Sequence, residues 1–311
     1  MRAALASGSL SAPGARADAA FIDHAPDAGT LVAVSRGACV FYEGARGGGT
    51  CAIHRVLGHD ALPLACRQFP RVSVRDPRGV SVTLSHYCPT AASLLESTGP
   101  IAITANSPAF PAGAEYVGLD ATSSPPPLLR PGVLLDWESW WDIERHAVAL
   151  LARTDRDPEA ALARLAHAIE RARSWRPSDG PLPSHIARAF DEAASIDTVS
   201  RSPSRAWIDA RRELAAGAVP GDFADAMPSA VSNAAPSAPA LTRFLAAHAF
   251  ANWTPHLGGG LRSWLRSVEV AFALATSSGA RDADLVLRHL IEPRKFAARC
   301  ALAEREEPPA R

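Results

Sequence analysis

The sequence predicts an α+β protein, in which a small, loop-rich cysteine and β-hairpin module precedes a mainly α-helical domain. Three observations predict this class. Four of the five cysteines fall in the first third of the 311 residues. Short apolar stretches there alternate with turn signals, whereas beyond residue 136 apolar residues recur at the spacing of a helix face. A proline-rich stretch at 99–135 separates the two patterns.

The chain accordingly divides into four predicted segments. Residues 1–30 are rich in Ala, Gly, Ser and Pro without periodicity, and are predicted to be a flexible lead-in. Residues 31–98 form the cysteine module, in which the turn signal Asp76-Pro77-Arg78-Gly79 joins two alternating stretches into a hairpin. Residues 99–135 form an irregular connector, and residues 136–311 form an all-α helical domain.

Helix starts in the last segment are marked by particular residues. Asp136 is an N-cap for a helix over 137–153, and Pro158 suits the first position of a helix that ends near Arg173. Three tryptophans on the first helix have the spacing of a buried face, namely Trp137, Trp140 and Trp141. Further helices are predicted over 184–196, 204–217, 238–251, 261–276 and 282–305.

The charge balance excludes several classes of partner. Thirty-two basic and 32 acidic side chains give a formal net charge of zero, which argues against a nucleic-acid or anionic-membrane partner. No apolar stretch approaches the roughly 18 residues that a membrane span needs. The first residues also lack the continuous apolar run of a secretory signal. We therefore expect a cytoplasmic protein, in a compartment that keeps thiols reduced.

The cysteines are the main candidates for chemistry. Their odd number and their clustering favour a metal site over disulfides. Thiolate is the soft ligand that zinc and iron–sulfur clusters prefer, and four thiolates close a tetrahedral site. The predicted metal ligands are Cys39, Cys51, Cys66 and Cys88. The alternative is that these four are small buried hydrophobes; Cys300, among alanines near the end of the chain, is assigned to packing.

Three residues beside these cysteines are candidates for further ligands or for groups that hydrogen-bond the ligands. His54 follows Cys51 with the two-residue gap of a metal knuckle, although packing is the alternative role. His86 lies close to Cys88, with an ordinary hydrogen-bonding role as its alternative. Arg67 follows its cysteine directly, where a guanidinium either lowers the pKa of the thiol or anchors the turn.

Four segments around these cysteines carry a resemblance to a known family. They are Gly37-Ala38-Cys39-Val40-Phe41, Cys51-Ala52-Ile53-His54, Leu62-Pro63-x-x-Cys66-Arg67-x-Phe69-Pro70 and His86-Tyr87-Cys88-Pro89. In this order and at these gaps they resemble the YkgJ-type cysteine-cluster family, described as zinc- or iron-chelating, which includes flagellin lysine-N-methylase-like proteins. The Cys-Arg-x-Phe-Pro element is the most specific part. The resemblance covers roughly residues 31–95 and implies a zinc ion or an iron–sulfur cluster.

The chain departs from the pattern of that family at its start. Such proteins usually carry an earlier cysteine group, including a Cys-Cys pair, and here no cysteine precedes Cys39. Either the chain begins late relative to the family frame or half of the ligand set has been lost.

The resemblance leaves three hypotheses for function. The first is a metal-binding cysteine-cluster protein. The second is an enzyme similar to flagellin lysine-N-methylases, a protein-lysine N-methyltransferase that would use S-adenosylmethionine and act on a protein such as flagellin. The third is a truncated, metal-free interaction protein. No glycine-rich nucleotide turn follows a predicted strand, so the sequence identifies no catalytic residue and no residue that binds S-adenosylmethionine.

Overall fold

A computed structural model describes residues 1–23, 30–35, 38–44, 50–99, 101–110, 116–153, 157–197, 203–226 and 236–305. Parts of the predicted lead-in and of the predicted connector therefore lie outside the described residues. The chain forms two compact units, Met1–Phe69 and Pro70–Arg311. The division falls after Phe69, within the span 31–98 that the sequence assigns to one module, because the predicted hairpin belongs to the second unit.

The first unit is built from short elements. They are α1 (Arg2–Ala6), β1 (Phe21–Asp23), β2 (Thr30–Val32), β3 (Val34–Ser35), β4 (Ala38–Cys39), α2 (Ala52–Leu57) and α3 (Leu64–Gln68). Strands β1 and β2 pair antiparallel, as do β3 and β4, where Val34 lies opposite Cys39.

The core of this unit draws on the residues predicted to be a lead-in. Phe41 and Ile53 are fully buried, and Leu5, Leu10 and Ala20 pack in the same cluster. The structure thus differs from the predicted flexible lead-in in its described part, residues 1–23. A unit this small has few aliphatic side chains, so it stabilises itself by burying those near its N-terminus.

The second unit starts with strands and continues with helices. The strands are β5 (Arg71–Asp76), β6 (Gly79–Leu84), β7 (Leu119–Asp120), β8 (Leu128–Arg130) and β9 (Val133–Leu134). The predicted hairpin is confirmed, since β5 and β6 pair antiparallel with Asp76 opposite Gly79. The Asp76 carboxylate accepts a hydrogen bond from the backbone N–H of Arg78 at 2.9 Å, which closes the turn. Two residues of β7 extend the sheet in parallel to β5.

The described residues of this unit contain eight α-helices, the first of which lies between β6 and β7. They are α4 (Pro89–Leu94), α5 (Trp137–Leu151), α6 (Pro158–Arg173), α7 (Leu182–Ser195), α8 (Arg205–Ala216), α9 (Ala238–Ala249), α10 (Leu261–Leu285) and α11 (Pro293–Cys300). The predicted start of α5 is confirmed, because the Asp136 carboxylate accepts a hydrogen bond from the Ser139 backbone N–H at 2.7 Å. Gly279, with φ 86°, interrupts the helical backbone of α10.

The helices enclose the larger of the two cores. Trp140, Trp264, Phe244 and Phe272 are completely buried, and the rings of Trp140 and Trp264 meet edge to face with centroids 5.3 Å apart. Cys300 is buried in the same cluster, as the sequence predicts. Small sheets joined to a helical region confirm the predicted α+β class. In the part of the chain that the structure describes, no helix is long and apolar enough to cross a membrane.

Candidate functional site

Three of the four predicted metal ligands lie in the first unit on neighbouring elements. Cys39 ends β4, Cys51 is the N-cap residue of α2, and Cys66 is in α3. Tyr42 links the first two, because its backbone N–H donates to the Cys39 carbonyl at 2.9 Å and it forms a β-bridge with Cys51. Cys39 and Cys66 are exposed and Cys51 is half-buried, so solutes have access to this group of thiols.

The three thiols are close enough to influence one another's protonation. Loss of solvation around the sulfur raises the pKa of the Cys66 thiol above the ordinary value, although the residue as a whole is exposed, and negative charge on Cys39 and Cys51 acts to raise the pKa further. Such an effect requires the three sulfur atoms to lie within reach of one another's charge. Cys66 is therefore a neutral thiol at physiological pH. We call Cys39, Cys51 and Cys66 the thiol group.

The other predicted site residues lie elsewhere. His54 is exposed on α2, three residues after Cys51, and its ring meets that of His59 edge to face at 6.2 Å. Arg67 is half-buried on α3, directly after Cys66. Cys88 belongs to the second unit, where it is the half-buried N-cap residue of α4.

The predicted site residues have the chemical types that bind a metal, but their placement among the described residues does not form a metal site. Thiol and imidazole are the ligand types that zinc and iron–sulfur clusters use. Within the described ranges, however, no group of three or more His, Cys, Asp or Glu side chains is placed so that it could hold an ion. The thiol group is therefore a set of donors of a suitable chemical type that, as placed, does not form a metal site.

His86 has a different environment, a buried pair with a carboxylate. It follows β6, and the side chain of Asp284 in α10 accepts hydrogen bonds from its backbone N–H at 2.5 Å and from its ring Nδ1 at 3.0 Å. The Asp284 side chain is fully buried and that of His86 is nearly so. Because an ionised carboxylate only accepts, Nδ1 carries a proton, and Nε2 is the ring nitrogen that does not contact Asp284.

Charge around Asp284 stabilises its ionised form. Burial by itself raises the pKa of this carboxyl, but Arg288, whose Nε lies 3.2 Å from Asp284 Oδ1, and His86 outweigh burial and hold the pKa well below its usual range. Next to His86, Ser85 Oγ and His289 Nε2 are hydrogen-bonded at 2.9 Å. These contacts fasten the end of the hairpin to the last part of α10 and the residues after it.

Buried His248 completes this polar region of the second unit. Burial lowers its pKa to about 3, with Arg288 also acting to lower it, so the ring is neutral. Neither ring nitrogen has a hydrogen-bond partner among the described residues. A small cavity of about 70 Å³ is lined by His248, Asn252 and Arg288.

Sequence reasoning missed Asp284, Arg288 and His289. One signal was available, since Asp284 and Arg288 are four residues apart on a stretch whose other residues, such as Val286 and Leu287, are apolar and buried. Charged residues on a buried helix face require partners. The partner itself could not be read from the sequence, because His86 is 198 residues away.

The chain has no relative among the proteins with which it was compared. Protein-family models, curated proteins and solved structures gave no match. The resemblance to the YkgJ-type family therefore stays a prediction, and the interpretation of the site depends on the residues themselves.

Proposed function

We propose that this protein binds a thiophilic metal, either a zinc ion or an iron–sulfur cluster, through the thiol group of its first unit. The observation that carries the proposal is the placement of three soft donors on neighbouring elements of one small unit, with Cys39 ending β4, Cys51 preceding α2 and Cys66 in α3. The raised pKa of the Cys66 thiol, to which Cys39 and Cys51 contribute, agrees with this placement. A cation beside these sulfur atoms would lower the pKa of the Cys66 thiol and favour the thiolate form that binds metal.

Exposure and ligand number support the same proposal. Cys39 and Cys66 are exposed, so an ion or a cluster donor can reach the thiol group. His54 lies on the first turn of the helix that Cys51 caps, and it is the candidate for a fourth ligand in this unit. In the cytoplasm, where we place the protein as part of this proposal, the thiols stay reduced and available to metal.

The methyltransferase hypothesis has less support in the structure. A doubly wound nucleotide-binding fold needs an extended parallel sheet, and the described strands pair in parallel only between two residues each of β5 and β7. We derive no reaction through S-adenosylmethionine. The proposal is therefore limited to metal binding.

Cadmium titration of the reduced, metal-free full-length chain tests the proposal. Cadmium bound to thiolates gives an ultraviolet charge-transfer band whose intensity grows with the number of thiolates bound. We expect a saturable band at one ion per chain, and a weaker band in each of Cys39→Ser, Cys51→Ser and Cys66→Ser. Cys300→Ser is the control, because its thiol is buried in the helical core, and it should keep the full band.

Two further measurements complete the test. Cys88→Ser shows whether the cysteine of the second unit adds a thiolate. Anaerobic reconstitution with ferrous iron and sulfide distinguishes the two metals, since an iron–sulfur cluster absorbs broadly in the visible region whereas zinc does not. The proposal fails if no band forms, if the band survives all three substitutions in the thiol group, or if thiol titration finds these cysteines paired as disulfides.

A further inference from the structure

The second unit contains a large cavity beside the β5–β6 hairpin. It has a volume of about 1190 Å³ and lies among β6, α4, α9 and the segment 101–110. Its apolar lining includes Val80, Leu94 and Ile103, which are among the most exposed large hydrophobic side chains of the described chain. A cavity of this size with exposed apolar walls is typical of a site for a small molecule with a substantial apolar part.

The formally charged side chains that line the cavity, among the described residues, are positive. Arginines line the cavity, whereas no aspartate or glutamate does so among the described residues. Arg78 is neutralised by Asp76 and Glu144, at 3.0 and 2.8 Å from its guanidinium nitrogens. Among the described residues, Arg243 has no such partner. Arg75 also lines the cavity but is exposed to solvent, so the buried positive charge that remains for a ligand is that of Arg243.

Arg243 is buried without a counter-charge. Its residue is 7% exposed, and its guanidinium donates to the carbonyl oxygens of Leu95 at 2.9 Å and Gly99 at 3.4 Å. Its Nε has no hydrogen-bond partner, and within the described residues no carboxylate forms an ion pair with it. Burying a cation without an anion costs free energy, and proteins normally avoid it by pairing. An anionic ligand would supply the missing charge.

His86 adds a polar group to the same wall. It lines the cavity, and its Nδ1 is occupied by Asp284, so Nε2 is the nitrogen left for a ligand. A buried carboxylate fixes the orientation of the ring, which gives the cavity one polar group at a defined position. A ligand with a hydroxyl group in addition to its anionic group would use this nitrogen, because a hydroxyl both donates and accepts.

We infer that this cavity binds an amphipathic carboxylate, a small molecule with an apolar body and one anionic group neutralised by Arg243. The apolar body lies against Val80, Leu94 and Ile103. This site belongs entirely to the second unit and does not depend on metal binding by the thiol group.

Calorimetric titration with three probes of equal chain length tests the inference, using the full-length chain below the micelle concentration of each probe. The probes are dodecanoate, dodecanol and dodecylammonium, which share a twelve-carbon chain and carry an anionic, a neutral and a cationic head group. We expect dodecanoate to bind at least about tenfold more tightly than dodecanol, and dodecylammonium to bind more weakly still.

Variants locate the site. Leu94→Glu places a negative charge on the cavity wall and should weaken dodecanoate binding about tenfold or more. Its matched control is Leu134→Glu, because both leucines are 54% exposed and Leu134 does not line the cavity. Arg243→Gln should abolish the preference for dodecanoate over dodecanol. Equal binding of the three probes, no binding of dodecanoate, or the same affinity in the two glutamate variants would overturn the inference.

Discussion

The two units of this chain place their reactive groups in opposite environments. In the first unit, two of the three thiols are exposed, and the ion pair between Arg55 and Glu43 is at the surface. In the second unit, Asp284 and Glu144 are almost completely buried. Groups in the first unit are accessible to solutes, whereas those in the second have been removed from water and depend on one another.

Burial and neighbouring charges together set the pKa of the buried carboxyl groups in the second unit. It raises the pKa of Glu144, even though Arg78 acts to lower it. At Asp284 the same burial is outweighed by Arg288 and His86, and the pKa is lowered. The comparison teaches that the pKa of a buried carboxyl group in the helical unit is lowered only where its partners outweigh the loss of solvation. The following predictions test that difference between the units.

Removing Asp284 should have the largest effect. Asp284→Ala leaves the buried guanidinium of Arg288 without an anion and His86 without its acceptor, so we expect a loss of about 3–5 kcal/mol in the free energy of unfolding. Urea unfolding followed by circular dichroism measures this loss. Glu43→Ala, which breaks the surface pair of the first unit, is the comparison and should cost far less. Equal losses in the free energy of unfolding would contradict the conclusion that the ion pairs of the two units differ in burial.

Replacing one cysteine by serine in each unit gives a second comparison. Cys300→Ser buries a hydroxyl in the apolar core and should destabilise the protein by about 1–3 kcal/mol. Cys66→Ser changes an exposed thiol and should stay within about 0.5 kcal/mol in the metal-free protein. Denaturant midpoints of the two variants, measured with chelator present, provide the test. If Cys66→Ser were the more damaging, the thiol group would have a role in the folded core.

Acid should weaken the second unit through its buried histidines. Burial lowers the pKa of His256 from 6.5 to about 4, and the ring packs against Trp137 and Trp140. The unfolded chain therefore binds more protons below pH 6.5, and stability is lost as the pH falls from there towards about 4. One such histidine contributes about 1.4 kcal/mol per pH unit.

The matching variant is His256→Phe, which keeps an aromatic ring in place and cannot be protonated. The free energy of unfolding, measured at several pH values in this range, should fall less steeply in the variant than in the parent chain. His248, with a pKa of about 3 and Arg288, Asp284 and His86 around it, should still give the variant some acid sensitivity. Identical slopes in the two proteins would contradict the assignment of His256 as a half-buried group whose pKa is lowered in the folded chain.

Local features of the fold could be predicted from the sequence, whereas contacts between distant residues could not. Asp136, Pro158 and the turn before Gly79 act on their immediate neighbours, and α6 begins and ends where the sequence predicts. Cys300 was correctly predicted to be buried because the residues around it are apolar.

The pairing of His86 with Asp284 could not be predicted from a single sequence. Cys88, two residues after His86, predicts a metal-related role, and no residue near His86 in the chain indicates that a distant carboxylate is its partner. The buried lone cation at Arg243 is likewise invisible in the sequence, because total charge is balanced and the lack of a partner is a property of the fold. Composition reports how many charges a chain has, and only the structure reports which ones are paired.

The hydrogen bond between the His86 backbone N–H and Asp284 can form only late in the synthesis of the chain. It joins positions 198 residues apart, and the Ser85–His289 contact spans 204. Because a chain leaves the ribosome N-terminus first, the hairpin emerges long before its acceptor exists. The entropic cost of closing so long a loop grows only with the logarithm of its length, so the delay is one of timing and not of stability. The end of the hairpin stays hydrated until α10 has been made.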